Sequence, residues 1–278
     1  MLETPILYRG SGRVQSAPVY MEYETIQGER LAKIGFGTWR LSGRACYQAV
    51  RSALALGYRH IDTAEMYENE GEVAQAIADS GVNRHELFLT TKVWNSHLRF
   101  KDVLRACENS LRALQVEVID LYLVHWPEAG VPIAETMGAL NALVESGKVR
   151  RIGLSNFSVS EFVAAQATSP LRLFTDQVPF HLLRPQPELL EYCRQHDILL
   201  TAYSPLAKGR LAGHPVLEAI GARHGKTGSQ VALRWLVQQP QVIAIPKSSD
   251  PQRQRENFEI FDFALSAAEM AELEALGG

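Results

Sequence analysis

Cysteine is scarce in this chain. Cys46, Cys107 and Cys193 are the only three among 278 residues, and no two form a CxxC pair. A disulfide framework or a zinc ribbon needs closely spaced thiols, so neither is expected. Cys107 falls in helical step with Val103, Leu111 and Leu114, and all three cysteines read as small apolar core residues in a reducing compartment. A surplus of positive charge is missing too. With 28 Lys and Arg against 31 Asp and Glu, the formal net charge is −3, which offers nucleic-acid phosphates no clustered basic surface. No run approaches the roughly 18 apolar residues of a membrane-spanning helix. The opening MLETPILYRGSGRVQ has an early glutamate and no apolar h-region, so no secretory signal and a soluble cytoplasmic protein are expected. Without such a signal the sequon Asn156-Phe157-Ser158 carries no weight.

What is present is a core-rich composition, 46% apolar and 21% charged, in a strand-then-helix rhythm. Short apolar, β-branched runs read as strands at 33–38, 59–63, 87–92, 119–125, 151–155, 174–178, 199–203 and 243–247. Helical periods lie between them. In 132–148, Ile133, Met137, Leu140 and Val144 share one face; in 227–239, Val231, Trp235, Leu236 and Gln239 fall near one stripe. Eight such units fit either an open doubly wound sheet or a closed (β/α)8 barrel. A dinucleotide-binding sheet would need GxGxxG after an early strand. Gly35-Phe36-Gly37 is followed by Arg40 where the third glycine belongs, so that fingerprint fails. The run from Gly221 to Thr227 is one residue short of a phosphate loop and follows a helix, so Thr227 or Ser229 reads as a helix N-cap.

The expectation is therefore an α/β fold, a (β/α)8 TIM barrel of about 250 residues as one domain over 23–278. Gln27-Gly28-Glu29, within 23–30, reads as a hairpin turn, and that hairpin could plug the N-terminal end of the barrel. Residues 1–22 form an extension whose role is not readable.

A barrel gathers its chemistry at the C-terminal ends of its strands. Asp62 ends the second strand, Lys92 the third and His125 the fourth, and Tyr67 lies in the loop after Asp62. A lone strand-end lysine is usually solvated and a lone aspartate is often an N-cap. Three ionisable strand tips plus a tyrosine at one barrel mouth are a different matter.

These residues also carry a family resemblance. GYRHIDTAEMYENE (57–70), LTTKVWN (89–95), LYLVHWP (121–127), IGLSNF (152–157), AYSPLAKG (202–209) and IPKSSDPQRQREN (245–257) resemble, in order, the motifs of the aldo-keto reductases. Within that family the chain is most similar to bacterial 2,5-diketo-gluconate and methylglyoxal reductases. The resemblance implies NADPH-dependent reduction of an aldehyde or ketone, with no metal. It makes Tyr67 the general acid, Lys92 a cation that eases its proton release, Asp62 the partner holding Lys92, and His125 a donor to the carbonyl oxygen.

For the cofactor it implies that Ser155, Asn156 and Gln177 hold the nicotinamide amide and that Tyr203 stacks on the ring. The loop from Ser204 through Leu206 and Gly209 to Arg210 would fold over the pyrophosphate, with Thr38, Trp39 and Asp62 also on the cofactor side. Lys247, Ser248 and Arg253 would take the 2′-phosphate and Asn257 the adenine. Gln254 stands where the family usually has an apolar residue, and is expected to loosen its short helix. Trp39, Tyr67, Trp94, His125 and Trp126 would line the substrate pocket, whereas Trp235, on a helix face, reads as core filler. Longer members carry a C-terminal tail that closes the pocket, so an open pocket for small carbonyl compounds is expected. The implied partners are a small-molecule carbonyl substrate and neither nucleic acid nor membrane; relatives are commonly monomers. Reduction of a carbon–carbon double bond, as in steroid reductases of the family, would need glutamate at the position of His125. The alternative from another class is a cofactor-binding regulatory subunit with little turnover, like the potassium-channel β subunits, because a fold alone does not fix an activity.

Overall fold

The computed structural model describes residues 21–277; the expected N-terminal extension lies, up to residue 20, outside the described residues. The chain enters an antiparallel hairpin, β1 (Tyr23–Ile26) and β2 (Glu29–Ala32), in register from Tyr23↔Ala32 to Ile26↔Glu29. Gln27 and Gly28 at the turn have φ of 49° and 79°, the pair of left-handed residues that a two-residue hairpin matching strand twist requires. Ile26 and Leu31 pack inside the barrel on Leu121, Leu123, Phe174, Leu199 and Ile243. The Gln27 amide donates to the carbonyls of Leu173 (3.0 Å) and Asp197 (3.1 Å), just ahead of two barrel strands. The hairpin thus plugs the N-terminal end.

Eight parallel strands follow: β3 (Phe36–Gly37), β4 (His60–Asp62), β5 (Phe88–Val93), β6 (Ile119–Val124), β7 (Val149–Ser155), β8 (Thr175–Pro179), β9 (Leu199–Tyr203) and β10 (Val242–Ala244). Each pairs with the next in chain order. A parallel bridge between Ile34 and Ala244 joins the first to the last, with Gly35 N to Ala244 O at 2.8 Å and Ala244 N to Lys33 O at 3.0 Å. The glycines of the failed fingerprint serve this seam. A Cβ on Gly35 would lie 2.6 Å from the His60 ring, and one on Gly37 would lie 2.9 Å from the Ile245 carbonyl. The two seam strands are shorter than the runs 33–38 and 243–247 suggest. Pro246 has no N–H to continue the ladder, and only its carbonyl reaches Gly37 N.

The outer layer is α1 (Gly43–Leu56), α2 (Glu70–Ser80), α3 (Phe100–Leu114), α4 (Ile133–Glu145), α5 (Val159–Ala167), α6 (Pro187–His196), α7 (Pro215–His224), α8 (Gly228–Val237), α9 (Pro251–Phe258) and α10 (Ala267–Glu274). Thr227 caps α8 in a reciprocal capping box with Gln230, so the run from Gly221 is a helix-to-helix joint, not a phosphate loop. One expectation needs correcting. In place of an apolar stripe, α8 is buried all round from Gln230 to Val237, because α7, α9 and β10 pack against it. All three cysteines are free and buried. Trp235 is core, edge-on to Phe180 at 5.5 Å. Among the described residues no helix is long and apolar enough to cross a membrane.

Candidate active site

The period-two pleat brings the strand tips together. Asp62 pairs in register with Thr90, two residues before Lys92, and Lys92 pairs with Leu123, two before His125. Residues two apart on a strand share a face, so Asp62, Lys92 and His125 all point inward at the C-terminal end. Lys92 Nζ lies 2.5 Å from Asp62 Oδ1, with side chains 0% and 2% exposed. Nζ also donates to the Thr63 carbonyl at 2.8 Å, and Gln177 Nε2 donates to Asp62 Oδ2 at 2.7 Å. A buried ion pair is tolerable only when its remaining valences are satisfied, and here both carboxylate oxygens are.

Tyr67 closes a short 3-10 turn, Glu65–Tyr67, and its ring centroid is 5.2 Å from Lys92 Nζ. His125 meets the Tyr67 ring edge-to-face at 5.6 Å and the Trp94 ring at 5.0 Å. Burial, aided by the Lys92 charge, pushes His125 down to about 3, so its imidazole is neutral at physiological pH. Its Nδ1 is buried without a partner among the described residues. Burial lowers Lys92, and Asp62 opposes that shift. Burial of Tyr67, and then the Asp62 charge, push its phenol well above its ordinary value.

A second set of side chains sits across the mouth. Ser155 ends β7, and its hydroxyl donates to the Gln177 carbonyl at 2.8 Å. Asn156, left-handed with φ 66°, donates from Nδ2 to the His125 carbonyl and to Ser155 Oγ, both at 3.0 Å. Tyr203, ending β9, donates its hydroxyl to Asn156 Oδ1 at 2.8 Å. Thr38, just past β3, donates from Oγ1 to the Asp62 carbonyl at 3.0 Å. Ser155, Asn156, Gln177 and Tyr203 therefore form one hydrogen-bonded wall joined to Asp62 and His125.

The loop after β9 folds toward the end of β3. Lys208 Nζ lies 5.0 Å from the Trp39 ring and the Arg40 guanidinium 4.3 Å from it. Ser204, Ala207 and Lys208 hold positive φ of 47°, 50° and 57°, a strained path that persists only where its surroundings fix it. Leu206 anchors the loop on the main core and Gly209 is exposed. Trp94 is half-buried and Trp126, at 43%, is exposed on the rim.

Lys247 and Ser248 follow β10, and Arg253 and Asn257 lie on α9. The Lys247 and Arg253 side chains are exposed, without an ion-pair partner among the described residues, while Asn257 is buried. Asp250 Oδ1 caps α9, accepting from Gln252 N at 2.8 Å and Arg253 N at 3.2 Å. An anion there would meet side-chain cations instead of free helix amides. Gln254 does not loosen the helix: fully buried, it donates to the carbonyls of Ala49 and Ser248.

Sequence reading missed a supporting layer. Glu65 accepts from Trp94 N at 3.0 Å and pairs with His97 at 2.5 Å, pinning the Tyr67 turn to the loop after β5. Asn69 donates to the carbonyls of Thr38 (3.1 Å) and Leu41 (2.8 Å), and Glu70 accepts from Thr91 Oγ1 at 2.6 Å. Glu65, Asn69 and Glu70 all stand inside the quoted motif 57–70, but nothing local marks their partners; that of Glu65 is 32 residues away. A separate groove of about 580 Å³ on the outer shell, floored by Phe180, Leu190, Trp235 and Met270, contains none of these residues.

The chain matches known proteins over nearly its whole length. A profile described as Aldo/keto reductase family covers residues 33–277. A 9,11-endoperoxide prostaglandin H2 reductase of Trypanosoma cruzi is 43% identical over 251 residues, 89% of this chain and 88% of that one. A glyoxal reductase of Bacillus subtilis is 41% identical over 250 residues, 90% of each. A crystal structure provisionally assigned as 2,5-diketo-D-gluconic acid reductase B superposes with a TM-score of 0.90 at 44% identity, covering 92% of this chain and 91% of the other. A Gox0644 mutant in complex with NADPH gives 0.87 at 35%, covering 92% and 93%. On this evidence, with a closed barrel and the strand-tip cluster at its mouth, the chain belongs to the aldo/keto reductase family of oxidoreductases.

Proposed function

We propose that this protein reduces small aldehydes and ketones to alcohols with NADPH, Tyr67 acting as general acid. The observation that carries the reading is the buried Asp62–Lys92 pair, bound on one side to Gln177 and lying on the other beneath Tyr67 and His125. The cofactor suits the residues at the mouth. Asn156, Ser155 and Gln177 offer amide and hydroxyl groups for a carboxamide, Tyr203 a ring face, and Lys247, Ser248 and Arg253 two unpaired cations and a hydroxyl for a phosphate. A neighbour of the same fold is an NADPH complex, and the glyoxal reductase acts on a small dicarbonyl compound by its name.

When bound, the reduced nicotinamide supplies the hydride that goes to the carbonyl carbon. Tyr67 gives its proton to the carbonyl oxygen as charge builds there, completing the alcohol. A raised phenol pKa suits this role: Tyr67 holds its proton at neutral pH, yet an alkoxide is a far stronger base than a phenolate. Lys92 has one ammonium N–H beyond its bonds to Asp62 and Thr63. It stabilises the phenolate that remains. Neutral His125 orients the carbonyl oxygen by donating a hydrogen bond. Trp39, Trp94 and Trp126 shape the apolar side of the pocket.

The test is steady-state NADPH oxidation with a panel of short and bulky aldehydes and ketones, on the intact protein and on Tyr67→Phe. Turnover on short aldehydes should collapse in the mutant by about 100-fold or more, with NADPH binding retained. Full activity in Tyr67→Phe would remove that residue from its role. Tight NADPH binding by the intact protein with no turnover on any carbonyl would point instead to a cofactor-binding subunit.

A further inference from the structure

Gln254 has no place in the mechanism above, yet its surroundings are unusual. Its side chain is wholly buried, and Nε2 donates both protons, to Ala49 O in α1 at 3.0 Å and to Ser248 O in the loop after β10 at 2.8 Å. Its own backbone carbonyl accepts from the hydroxyl of Tyr58, two residues before β4, at 2.9 Å. Its Oε1 is buried with no partner among the described residues. A buried amide with an unmet acceptor is a poorer core filler than an aliphatic chain of the same size. Packing alone therefore does not account for this side chain; the bonds to two carbonyls do.

Those bonds cross-link the two halves of the proposed phosphate cradle. Ser248 lies in the loop beside Lys247, and Arg253 precedes Gln254 on α9. Within the loop Ser248 Oγ accepts from Asp250 N at 3.1 Å, and Asp250 caps α9. The loop is thus tied forward to the helix by its own turn and backward to α1 by Gln254. The cations themselves are exposed and have no ion-pair partners among the described residues. Their direction is set by the backbone that carries them, so that backbone must be held from beneath.

We infer that Gln254 is a positioning residue for cofactor choice: by pinning the Ser248 carbonyl against α1 it fixes the Lys247–Ser248 loop opposite Arg253, and so sets the preference for a 2′-phosphorylated cofactor. The inference rests on the 2′-phosphate reading of those residues. It requires that loss of the two donors weaken binding of ligands bearing the phosphate and spare those lacking it.

The experiment measures dissociation constants of NADPH and NADH by protein fluorescence quenching, and of 2′,5′-ADP and 5′-AMP by calorimetry. The proteins are the full chain, Gln254→Met, Gln254→Asn and Arg253→Ala. Methionine keeps the length without a donor; asparagine keeps an amide but is one methylene too short to reach both carbonyls. Gln254→Met should weaken NADPH and 2′,5′-ADP by about ten-fold and NADH and 5′-AMP by less than about two-fold. Gln254→Asn should fall between Gln254→Met and the parent. Selective loss in Arg253→Ala with unchanged or equal shifts in both Gln254 variants overturns the inference alone. Equal loss for both cofactors in Arg253→Ala overturns the 2′-phosphate reading itself. Thermal midpoints of the same variants guard the comparison: if Gln254→Met does not fold, Gln254→Asn decides, and equal weakening of all four ligands there also overturns the inference.

Discussion

The Tyr203 hydroxyl donates to Asn156 Oδ1 at 2.8 Å, joining the end of β9 to the residue after β7 across the intervening strand. The same Asn156 amide donates to the His125 carbonyl, so one side chain spans the proposed nicotinamide wall and the proposed carbonyl site. Tyr203→Phe keeps the ring and strands one acceptor, a loss of about 1 kcal/mol. NADPH and NADH should weaken together by about five-fold, since neither side chain faces a 2′-phosphate. Titration by fluorescence quenching checks this; a loss confined to NADPH would be inconsistent with it.

The buried pair Lys92–Asp62 makes a stability prediction. Lys92→Met removes the cation and leaves a nearly inaccessible carboxylate held only by Gln177 among side chains. Breaking a buried pair from one side costs about 3–5 kcal/mol. Urea unfolding should show a midpoint lowered accordingly, alongside loss of turnover. An unchanged midpoint would mean that the pair is not held as described.

His60 and His125 predict an acid-sensitive fold. Burial pushes His60 from 6.5 to about 4 and His125 from 6.5 to about 3. The unfolded chain takes up protons at these sites before the folded chain does. Their contribution is therefore complete above about pH 6.5 and is lost progressively as pH falls toward 4 and then 3. His60→Gln should flatten the dependence of the urea midpoint on pH across pH 6.5 to 4. A slope identical to the parent would contradict that origin.

The same depressed value bears on catalysis. If His125 acts as a neutral donor, kcat/KM for aldehyde reduction should show no inflection from it between about pH 5 and 8. An acid limb near its ordinary 6.5, abolished by His125→Asn, would show that the imidazole is not buried as deeply during turnover.

The closure seam gives a purely structural test. Gly37→Ala would place a methyl 2.9 Å from the Ile245 carbonyl, and backbone atoms cannot swing aside as side-chain ends can. Overpacking of this kind costs about 1–3 kcal/mol, readable as a lower thermal midpoint. A midpoint equal to the parent would show that the seam is looser than the 3.1 Å bond from Gly37 N to Pro246 O implies.

Several features are fixed by local chemistry and were legible in the chain itself. Apolar runs alternating with helical periods set strand and helix order, because each element must bury one face. Gln27-Gly28 announces a hairpin, because its turn needs two left-handed residues. Asp62, Lys92 and His125 stand out because polar residues at successive strand ends in a barrel must meet at one mouth. Other properties depend on neighbours distant in sequence, and only the folded chain decides them. Gly35 and Gly37 are required by His60 and Ile245, not by a phosphate. Glu65 finds His97, and Gln254 finds Ala49, 205 residues away. The protonation of Tyr67 is the sharpest case. The neighbouring lysine is legible in the sequence; the burial that, with the charge of Asp62, raises the phenol is not. The residue types prescribe which groups can react; the packing around them sets the charge that each one carries.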